Sequence, residues 1–208
     1  MGLNDFAVDQ QGRLTSLVLH WPPSVSIADE QFFTFCQANQ GLKIERAATG
    51  DFEIMSPTGW ETGRRNLSLA AQLYVWAEQD GTGIASDSST GFILPNGAIR
   101  SPDVAWIKKT RLATLAPEEK QRFLPLCPDF VIELRSPSDA LSTLHQKMQE
   151  YMSNGARLAW LIDPETRQVS IYQADGKVLN LENPEFVMAD EVVAGFKLEL
   201  QKIWGFGS

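Results

Sequence analysis

Apolar positions recur along the chain with a helical period in two long segments. Between Glu61 and Glu78 they have helical spacing, and Gly81 and Gly83 end the run. From about Asp139 to Met152 a second segment has one apolar face and stops at Asn154-Gly155. The pattern therefore predicts two core helices.

Shorter apolar runs between turn residues indicate strands. The segments Leu42 to Arg46 and Phe52 to Met55 flank a turn and are predicted to form a hairpin. Further along, Ile84 to Leu94 and Ala98 to Lys108 flank Pro95-Asn96-Gly97, and an Asn-Gly pair is a strong hairpin signal. We therefore predict two antiparallel strands after the first core helix.

The run from Asp129 to Arg135 is apolar at its centre, which is typical of a buried strand. The next strand, Leu158 to Ile162, follows the second core helix, so we predict that the two strands are parallel and joined by a crossover. Val169 to Gln173 and Lys177 to Leu181 form a last predicted hairpin. The predicted core order is helix, strand, strand, strand, helix, strand, in an α/β fold with a mixed (α+β) sheet.

A length of 208 residues suits a single domain. Within it we distinguish an N-terminal helix and hairpin (1–60), a core (61–163), and a C-terminal hairpin and extension (164–208). No apolar stretch has the length of a membrane span, and the first residues lack the pattern of a secretory signal. We therefore expect a soluble cytoplasmic protein with no membrane partner.

Two features of the composition restrict the function. The formal charge of −8 argues against nonspecific coating of nucleic acid, which depends on Lys and Arg neutralising phosphates. A bound divalent cation would weaken that argument, because it neutralises part of the acidic charge. The two cysteines, Cys36 and Cys127, lie far apart in sequence, so we expect reduced thiols and neither a zinc site nor a disulfide.

Two predicted strands each carry an acidic residue among apolar neighbours. Strand alternation puts Asp103 on one face of its strand and Glu133 on the face shared with Val131 and Arg135. Buried carboxylates are costly unless they are paired or bind a metal. Ion pairs with Arg100 or Arg135 are one explanation, and a metal site is the other.

The spacing of these acids favours a metal site. Asp103 follows Pro102, and Glu133 begins the triplet Glu133-Leu134-Arg135, which together are close to a P-D…E-x-K pattern. Two carboxylates suit Mg, for which Mn can substitute, because this hard cation prefers oxygen ligands and keeps several waters. Such a site would hydrolyse phosphodiester bonds, with the metal polarising the phosphoryl oxygen and a nearby cation stabilising negative charge.

The cation is where the sequence departs from the pattern. Arg135 occupies the lysine position, and arginine cannot act as a base. Lys147, at the edge of the apolar face of the second helix, is a candidate replacement or else a solvated flanking lysine. Glu61 is a candidate further ligand, or else an acid favoured by the dipole at a helix start.

At these residues the sequence resembles the Uma-two family of restriction endonucleases, over nearly the whole chain. The resemblance rests on six segments: Met55-Ser-Pro-Thr-Gly59 with Glu61-Thr-Gly63, Asp87-Ser-Ser-Thr-Gly91, Arg100-Ser-Pro-Asp-Val-Ala-Trp106, Cys127 to Asp139, Lys147-Met-Gln-Glu-Tyr151, and Asn154 to Asp163.

That resemblance implies a restriction-endonuclease-like fold of the PD-(D/E)xK superfamily. It implies a metal site at Asp103 and Glu133, with Lys147 as a lysine that has moved from the strand to the helix. Glu61 would match an acidic residue on the first core helix. The expected function is a Mg-dependent endonuclease acting on DNA.

Three further expectations concern alternatives and assembly. A noncatalytic binding or scaffold protein could keep the fold, with Asp103 and Glu133 in structural ion pairs. A glycosidase would use two carboxylates about 5 to 9 Å apart and a cleft rich in exposed Trp, whereas Trp106, Trp160 and Trp204 lie in apolar runs and are expected to be buried. We expect a homodimer with two sites across a two-fold axis, with part of the interface between Phe186 and Trp204.

Overall fold

The computed structural model describes residues 6–8, 14–22, 24–189 and 191–205. These ranges contain both helices and strands. In chain order they are β1 (Phe6–Val8), β2 (Leu14–Leu19), α1 (Asp29–Ala38), β3 (Lys43–Arg46), β4 (Phe52–Met55), α2 (Trp60–Asp80), β5 (Gly83–Asp87), β6 (Phe92–Ile93), β7 (Ile99–Arg100), β8 (Val104–Lys108), α3 (Lys109–Leu112), a 3-10 turn (Glu119–Gln121), β9 (Phe130–Leu134), α4 (Leu141–Ser153), β10 (Leu158–Asp163), β11 (Gln168–Gln173), β12 (Val178–Glu182), β13 (Phe186–Ala189), β14 (Phe196–Glu199) and α5 (Gln201–Trp204).

The central sheet has the order β12-β11-β10-β9-β8-β5. Its strands β9 and β10 are parallel, with Glu133 opposite Leu161, and the other neighbours are antiparallel. The parallel pair requires a crossover, which α4 provides as the sequence predicts. The α/β class with a mixed sheet is therefore confirmed, and the two core helices lie close to their predicted positions.

A second sheet has the order β1-β2-β4-β3-β7-β6, and we call it the N-terminal sheet. Its strands β6 and β7 come from residues 92–100, inside the segment predicted as the core. The prediction of two long strands, Ile84 to Leu94 and Ala98 to Lys108, is wrong. The hairpin at Pro95-Asn96-Gly97 joins only β6 to β7, whereas β5 and β8 pair in the central sheet.

The chain leaves the central sheet after β5 and returns to it at β8, and a local feature accompanies each of these passages. Pro102 has no N–H to donate to a ladder, so the strand ends before it. Gly91 lies against the ring of Phe123, where a Cβ would clash. The segment Ser101-Pro102-Asp103 consequently carries the chain from the N-terminal sheet to the central sheet.

Helices cover both faces of the central sheet. Leu69, Leu73 and Ala77 of α2 pack on one face with Trp160 and Phe196. On the other face, α4 contributes buried apolar residues including Met148. No helix in the described ranges is long and apolar enough to cross a membrane.

The C-terminal region packs into the same core. Phe196, Leu198 and Ile203 are buried beside α2, whereas Phe186 and Met188 remain exposed. Many of the large apolar side chains of this region are therefore already used inside the protein, and the expectation that part of a dimer interface lies between Phe186 and Trp204 stays a prediction. The thiols of Cys36 and Cys127 are free, and Cys127 is buried.

A close contact between β5 and β8 makes one glycine sensitive to substitution. A Cβ at Gly83 would overlap the indole of Trp106, which is itself buried. We expect Gly83→Ala to lower the free energy of unfolding by about 1–3 kcal/mol, the usual cost of overpacking, as measured by urea denaturation. Gly41→Ala is the matched control, since its Cβ would meet nothing within 4 Å. Equal stability of the two variants would contradict this account of the β5 contact.

Candidate metal and catalytic site

The two predicted acids lie next to each other where the two sheets meet. Asp103 ends the crossing segment, and its Oδ2 accepts a hydrogen bond of 2.8 Å from the backbone N–H of Leu134. Glu133 precedes Leu134 on β9 and is 4% exposed. The register of β8 and β9 therefore brings together two carboxylates that are thirty positions apart in sequence.

Helix α4 presents two polar side chains to Glu133. The Nζ of Lys147 lies 2.9 Å from Glu133 Oε1. The hydroxyl of Tyr151 donates to the same oxygen at 2.9 Å. Lys147 and Tyr151 are four residues apart, which is one turn of helix, so both face the sheet. The structure thus places Lys147 beside Glu133 and not on a solvated flank.

Lys147 also contacts a carboxylate that the sequence pattern does not single out. Its Nζ lies 3.1 Å from Oε1 of Glu45, a buried residue of β3 in the N-terminal sheet. Burial opposes the charge of Lys147, but Glu133 and Glu45 outweigh it and raise the pKa of the lysine above its usual range. The site therefore holds a charged ammonium between two acids. If Lys147 acted as a base it would have to lose a proton, and these contacts oppose that loss.

Besides Lys147, two groups contact Glu45. Its Oε1 accepts a hydrogen bond of 3.0 Å from the backbone N–H of Ser101, and its Oε2 lies 3.3 Å from Arg100. Burial would raise the pKa of Glu45, but Lys147, Lys43, Arg100 and the Ser101 N–H together lower it to about 2. Glu45 is therefore a buried carboxylate that stays ionised.

Arg100 extends the network to two more carboxylates. Its guanidinium lies 2.8 Å from Glu53 and 2.6 Å from Glu150. From the sequence, Arg100 was a candidate ion-pair partner of Asp103 or Glu133. In the structure the acids at Arg100 are Glu45, Glu53 and Glu150, and the cation that contacts Glu133 is Lys147.

Glu133 is less completely compensated than Glu45. Burial raises its pKa, the neighbouring Asp103 and Glu45 carboxylates add to that effect, and Lys147 opposes it. A further cation near this carboxylate would relieve the repulsion from Asp103.

Asp103 has its own polar surroundings. Asn66 of α2 donates to Asp103 Oδ1 at 3.2 Å, and Lys43 Nζ lies 4.0 Å from the same oxygen. Neither residue stands out in the sequence, because their positions depend on how α2 and β3 pack on the central sheet. Asn66 is the α2 side chain that reaches Asp103.

Glu61 has different neighbours. Its side chain is 55% exposed and lies 3.3 Å from Arg64 and 3.8 Å from Arg65. It stands in the first turn of α2, where the helix dipole favours an acid. These contacts agree with the structural explanation of Glu61, and its role as a metal ligand stays a prediction.

Arg135 also pairs with acids. Its NH1 lies 2.8 Å from Asp163 and 3.1 Å from Glu165. Together with Arg65 it lines a surface cavity of about 290 Å³ at the ends of β9 and β10. Arg135 therefore binds acids at the end of β10 and just after it. It lies at this cavity and not in the buried cluster around Lys147.

The donor chemistry of the site fits a hard divalent cation. Asp103 and Glu133 offer carboxylate oxygens, and a cation bound between them would offset the repulsion of these two acids, which raises the pKa of Glu133. Within the described ranges, no group of three or more His, Cys, Asp or Glu is arranged to hold a metal. Two protein ligands with water completing the shell is the pattern that Mg commonly adopts.

Comparisons with known proteins identify a family and a similar fold. The sequence profile of Uma2, described as "Putative restriction endonuclease", matches residues 29–201. A solved structure described as "a putative nuclease belonging to DUF820", from Anabaena variabilis ATCC 29413, superposes with a TM-score of 0.65 and 16% identity over 77% of this chain and 89% of that chain. At this identity the likeness concerns the fold. A search of curated proteins found no match.

The profile match covers all the site residues described above and every strand of the central sheet, whereas β1 and β2 of the N-terminal sheet lie before it. It agrees with the family resemblance of the sequence motifs, and the solved structure agrees with the nuclease-like fold. The chain belongs to the Uma2 family of restriction-endonuclease-like proteins.

Proposed function

We propose that this protein is a metal-dependent endonuclease that hydrolyses phosphodiester bonds of DNA, with Mg as its metal and Mn as a substitute. The observation that carries the proposal is the ammonium of Lys147, 2.9 Å from Glu133, beside a second strand acid at Asp103. Two carboxylates and one cation at the end of adjacent strands are the groups that phosphodiester hydrolysis requires. We expect a homodimer, so that two sites can act on two strands.

Asp103 and Glu133 would hold the metal. When bound, it would polarise the phosphoryl oxygen and lower the pKa of a coordinated water. Asn66 and the Leu134 N–H orient the Asp103 carboxylate, whereas Tyr151 orients that of Glu133. Both ligands would thus be fixed before the substrate arrives, which lowers the cost of reorganisation in the reaction.

Lys147 would act through its charge. Its ammonium is positioned to stabilise negative charge that develops on the phosphoryl group, without having to give up a proton. Glu45 is a positioning residue in this scheme, because it is the second carboxylate in contact with the ammonium. The N-terminal sheet therefore contributes to the reaction through Glu45.

The charge distribution bears on substrate binding. The formal charge of −8 disfavours general attraction to DNA, so binding would depend on the metal and a few local cations. Lys43 is such a cation, being 31% exposed and close to Asp103. It is suited to contact a phosphate next to the one that is cleaved.

The contacts of Lys147 also favour a second candidate, a noncatalytic scaffold or binding protein. Lys147 bridges two buried acids, and this ion pairing could serve stability alone. Metal binding separates the two candidates, because a ligand that binds the native state raises its melting temperature. Of the Trp residues singled out against a glycosidase, Trp106 and Trp160 are buried and cannot line a sugar cleft, whereas Trp204 is partly exposed.

Removing either proposed metal ligand tests the proposal directly. We expect Asp103→Ala and Glu133→Ala each to abolish Mg-dependent cleavage of plasmid DNA and the Mg-dependent rise in melting temperature, because both acids would bind the ion. Glu182→Ala, an exposed acid on β12, is the control and should cleave normally. Full cleavage by either site variant would refute the assignment, and unfolding of both would favour the scaffold.

The role of the cation is tested by comparing the helix and strand positions. We expect Lys147→Ala to lower the cleavage rate per folded protein at least about a hundredfold, the scale of one positioned charge. The rise in melting temperature with Mg should persist. Arg135→Ala should instead weaken DNA binding or stability, because Arg135 pairs with Asp163 and Glu165. If Lys147→Ala cleaves at the parent rate and Arg135→Lys is faster than the parent, the catalytic cation belongs at position 135 of the strand and not at position 147 of the helix.

The depressed pKa of Glu45 predicts a pH-dependent stability. Folding lowers this pKa from 4.5 to about 2, so its contribution is present above about pH 4.5 and is lost as pH falls towards 2. We expect Glu45→Gln to be less stable than the parent by about 2–4 kcal/mol at pH 7. The difference should shrink over that acid range in urea denaturation.

Glu53→Gln is the matched control for Glu45→Gln, since Glu53 contacts the same Arg100 but is 32% exposed. Its effect on stability should be smaller. A difference between parent and Glu45→Gln that stays constant down to pH 2 would show that the ionised carboxylate is not the cause.

A further inference from the structure

One buried oxygen beside the proposed metal site is unpaired. It is the amide oxygen Oδ1 of Asn66, a half-buried residue of α2, and within the described ranges it has no hydrogen-bond partner. Buried polar atoms are normally hydrogen-bonded, because an unpaired atom has lost its contact with water and gained nothing in return. A ligand that binds this oxygen would therefore stabilise the protein, and a hard cation is such a ligand.

The other end of the same amide contacts a proposed metal ligand. Nδ2 of Asn66 donates a hydrogen bond of 3.2 Å to Oδ1 of Asp103. The second oxygen of Asp103, Oδ2, accepts from the backbone N–H of Leu134 on β9. Asn66 therefore lies against the oxygen of Asp103 that is not hydrogen-bonded to the central sheet.

The distance between these two side chains suits two oxygens that share one ion. Oxygens at adjacent corners of a Mg octahedron are about 2.9 Å apart, because each bond to the metal is about 2.1 Å and the two bonds meet at a right angle. A half turn of the Asn66 amide about its Cβ–Cγ bond exchanges the nitrogen and the oxygen. The oxygen would then occupy the place from which the nitrogen now contacts Asp103 at 3.2 Å. Two acceptor oxygens are unfavourable at that distance without a cation between them.

The acidic surroundings favour an uncharged third ligand. In the part of the chain that the structure describes, no group of three or more His, Cys, Asp or Glu is arranged to hold a metal. The carboxylates of Asp103 and Glu133 already repel each other, and a third carboxylate beside them would add to that repulsion in the metal-free protein. An amide oxygen is a hard ligand without a charge, so it avoids this cost.

From these observations we infer that Asn66 is a third protein ligand of the divalent cation, binding it through the amide oxygen next to Asp103. In the metal-free protein the amide nitrogen holds the Asp103 carboxylate, and in the metal-bound protein the amide oxygen takes its place. The inference rests on the metal-dependent reaction proposed above, because it requires a cation at Asp103 and Glu133. Helix α2 would then supply one ligand of the ion.

Lys43 is the cation that competes for the same carboxylate. Its Nζ lies 4.0 Å from Asp103 Oδ1, and its side chain is 31% exposed. A lysine with this exposure can turn its ammonium towards solvent while its apolar stem stays in contact with the protein. Lys43 therefore does not prevent a divalent cation from binding to Asp103 and Asn66.

Mn bound to the whole chain tests the coordination directly. In water labelled with a magnetic oxygen isotope, the electron paramagnetic resonance lines of Mn broaden with each water that the ion holds, so the waters can be counted. We expect Asn66→Leu, which has no side-chain oxygen, to hold one more water than the parent and to bind Mn at least about tenfold more weakly. Asn66→Asp keeps an oxygen at this position and should hold the parent number of waters.

Gln72→Leu is the matched control, because it also removes an amide from α2. The Gln72 amide contacts the backbone of Glu199 on β14, so this variant should keep the parent water count and Mn affinity. Melting temperatures measured with EDTA show whether each variant is folded. If Asn66→Leu is unfolded, Asn66→Ala carries the same expectation, since it removes the oxygen without adding bulk.

The possible results separate the inference from the proposed function. If the parent binds Mn and Asp103→Ala does not, an unchanged water count in Asn66→Leu would overturn the inference and leave the proposed function standing. Weaker binding with an unchanged water count would mean that Asn66 acts only through Asp103, and it would overturn the inference as well. A parent that binds no Mn would overturn both.

Discussion

The contact of Lys147 with Glu133 and Glu45 joins three parts of the fold. Lys147 belongs to α4, Glu133 to the central sheet and Glu45 to the N-terminal sheet. A buried ammonium without acids, or buried acids without an ammonium, would cost several kcal/mol. Each of these three elements therefore depends on the other two being in place, and the site forms only when the two sheets are docked.

Arg100 balances the negative charge of Glu45. It is the last residue of β7, and the chain then passes through Ser101 and Pro102 to Asp103. Arg100 and the Ser101 N–H hold Glu45, whereas Asp103 accepts from the Leu134 N–H. The short segment from Arg100 to Asp103 thus carries the guanidinium and the N–H that contact Glu45, and it also carries the proposed metal ligand Asp103. Because of this connection, movement of one sheet against the other would disturb both Lys147 and Asp103.

Local pattern was sufficient to predict most of the elements but not how they combine. The helices α2 and α4, the parallel pair β9 and β10, and the final hairpin follow from periodicity and turn residues within single segments. The region 84–108 was mispredicted as one long hairpin. Its Asn-Gly turn was a correct local signal, but each predicted strand is divided between the two sheets, and that division depends on contacts with distant strands.

The sequence alone determined which residues of this chain stand as acids in apolar strands, Asp103 and Glu133, and that Lys147 lies at the edge of a helix face. Those features depend on alternation within one element. The tertiary structure alone decided that Lys147 points to Glu133 and that Glu45 and Asn66 complete the surroundings. Periodicity specifies the face of a helix or strand, but the partner of that face is set by packing between segments far apart in the chain.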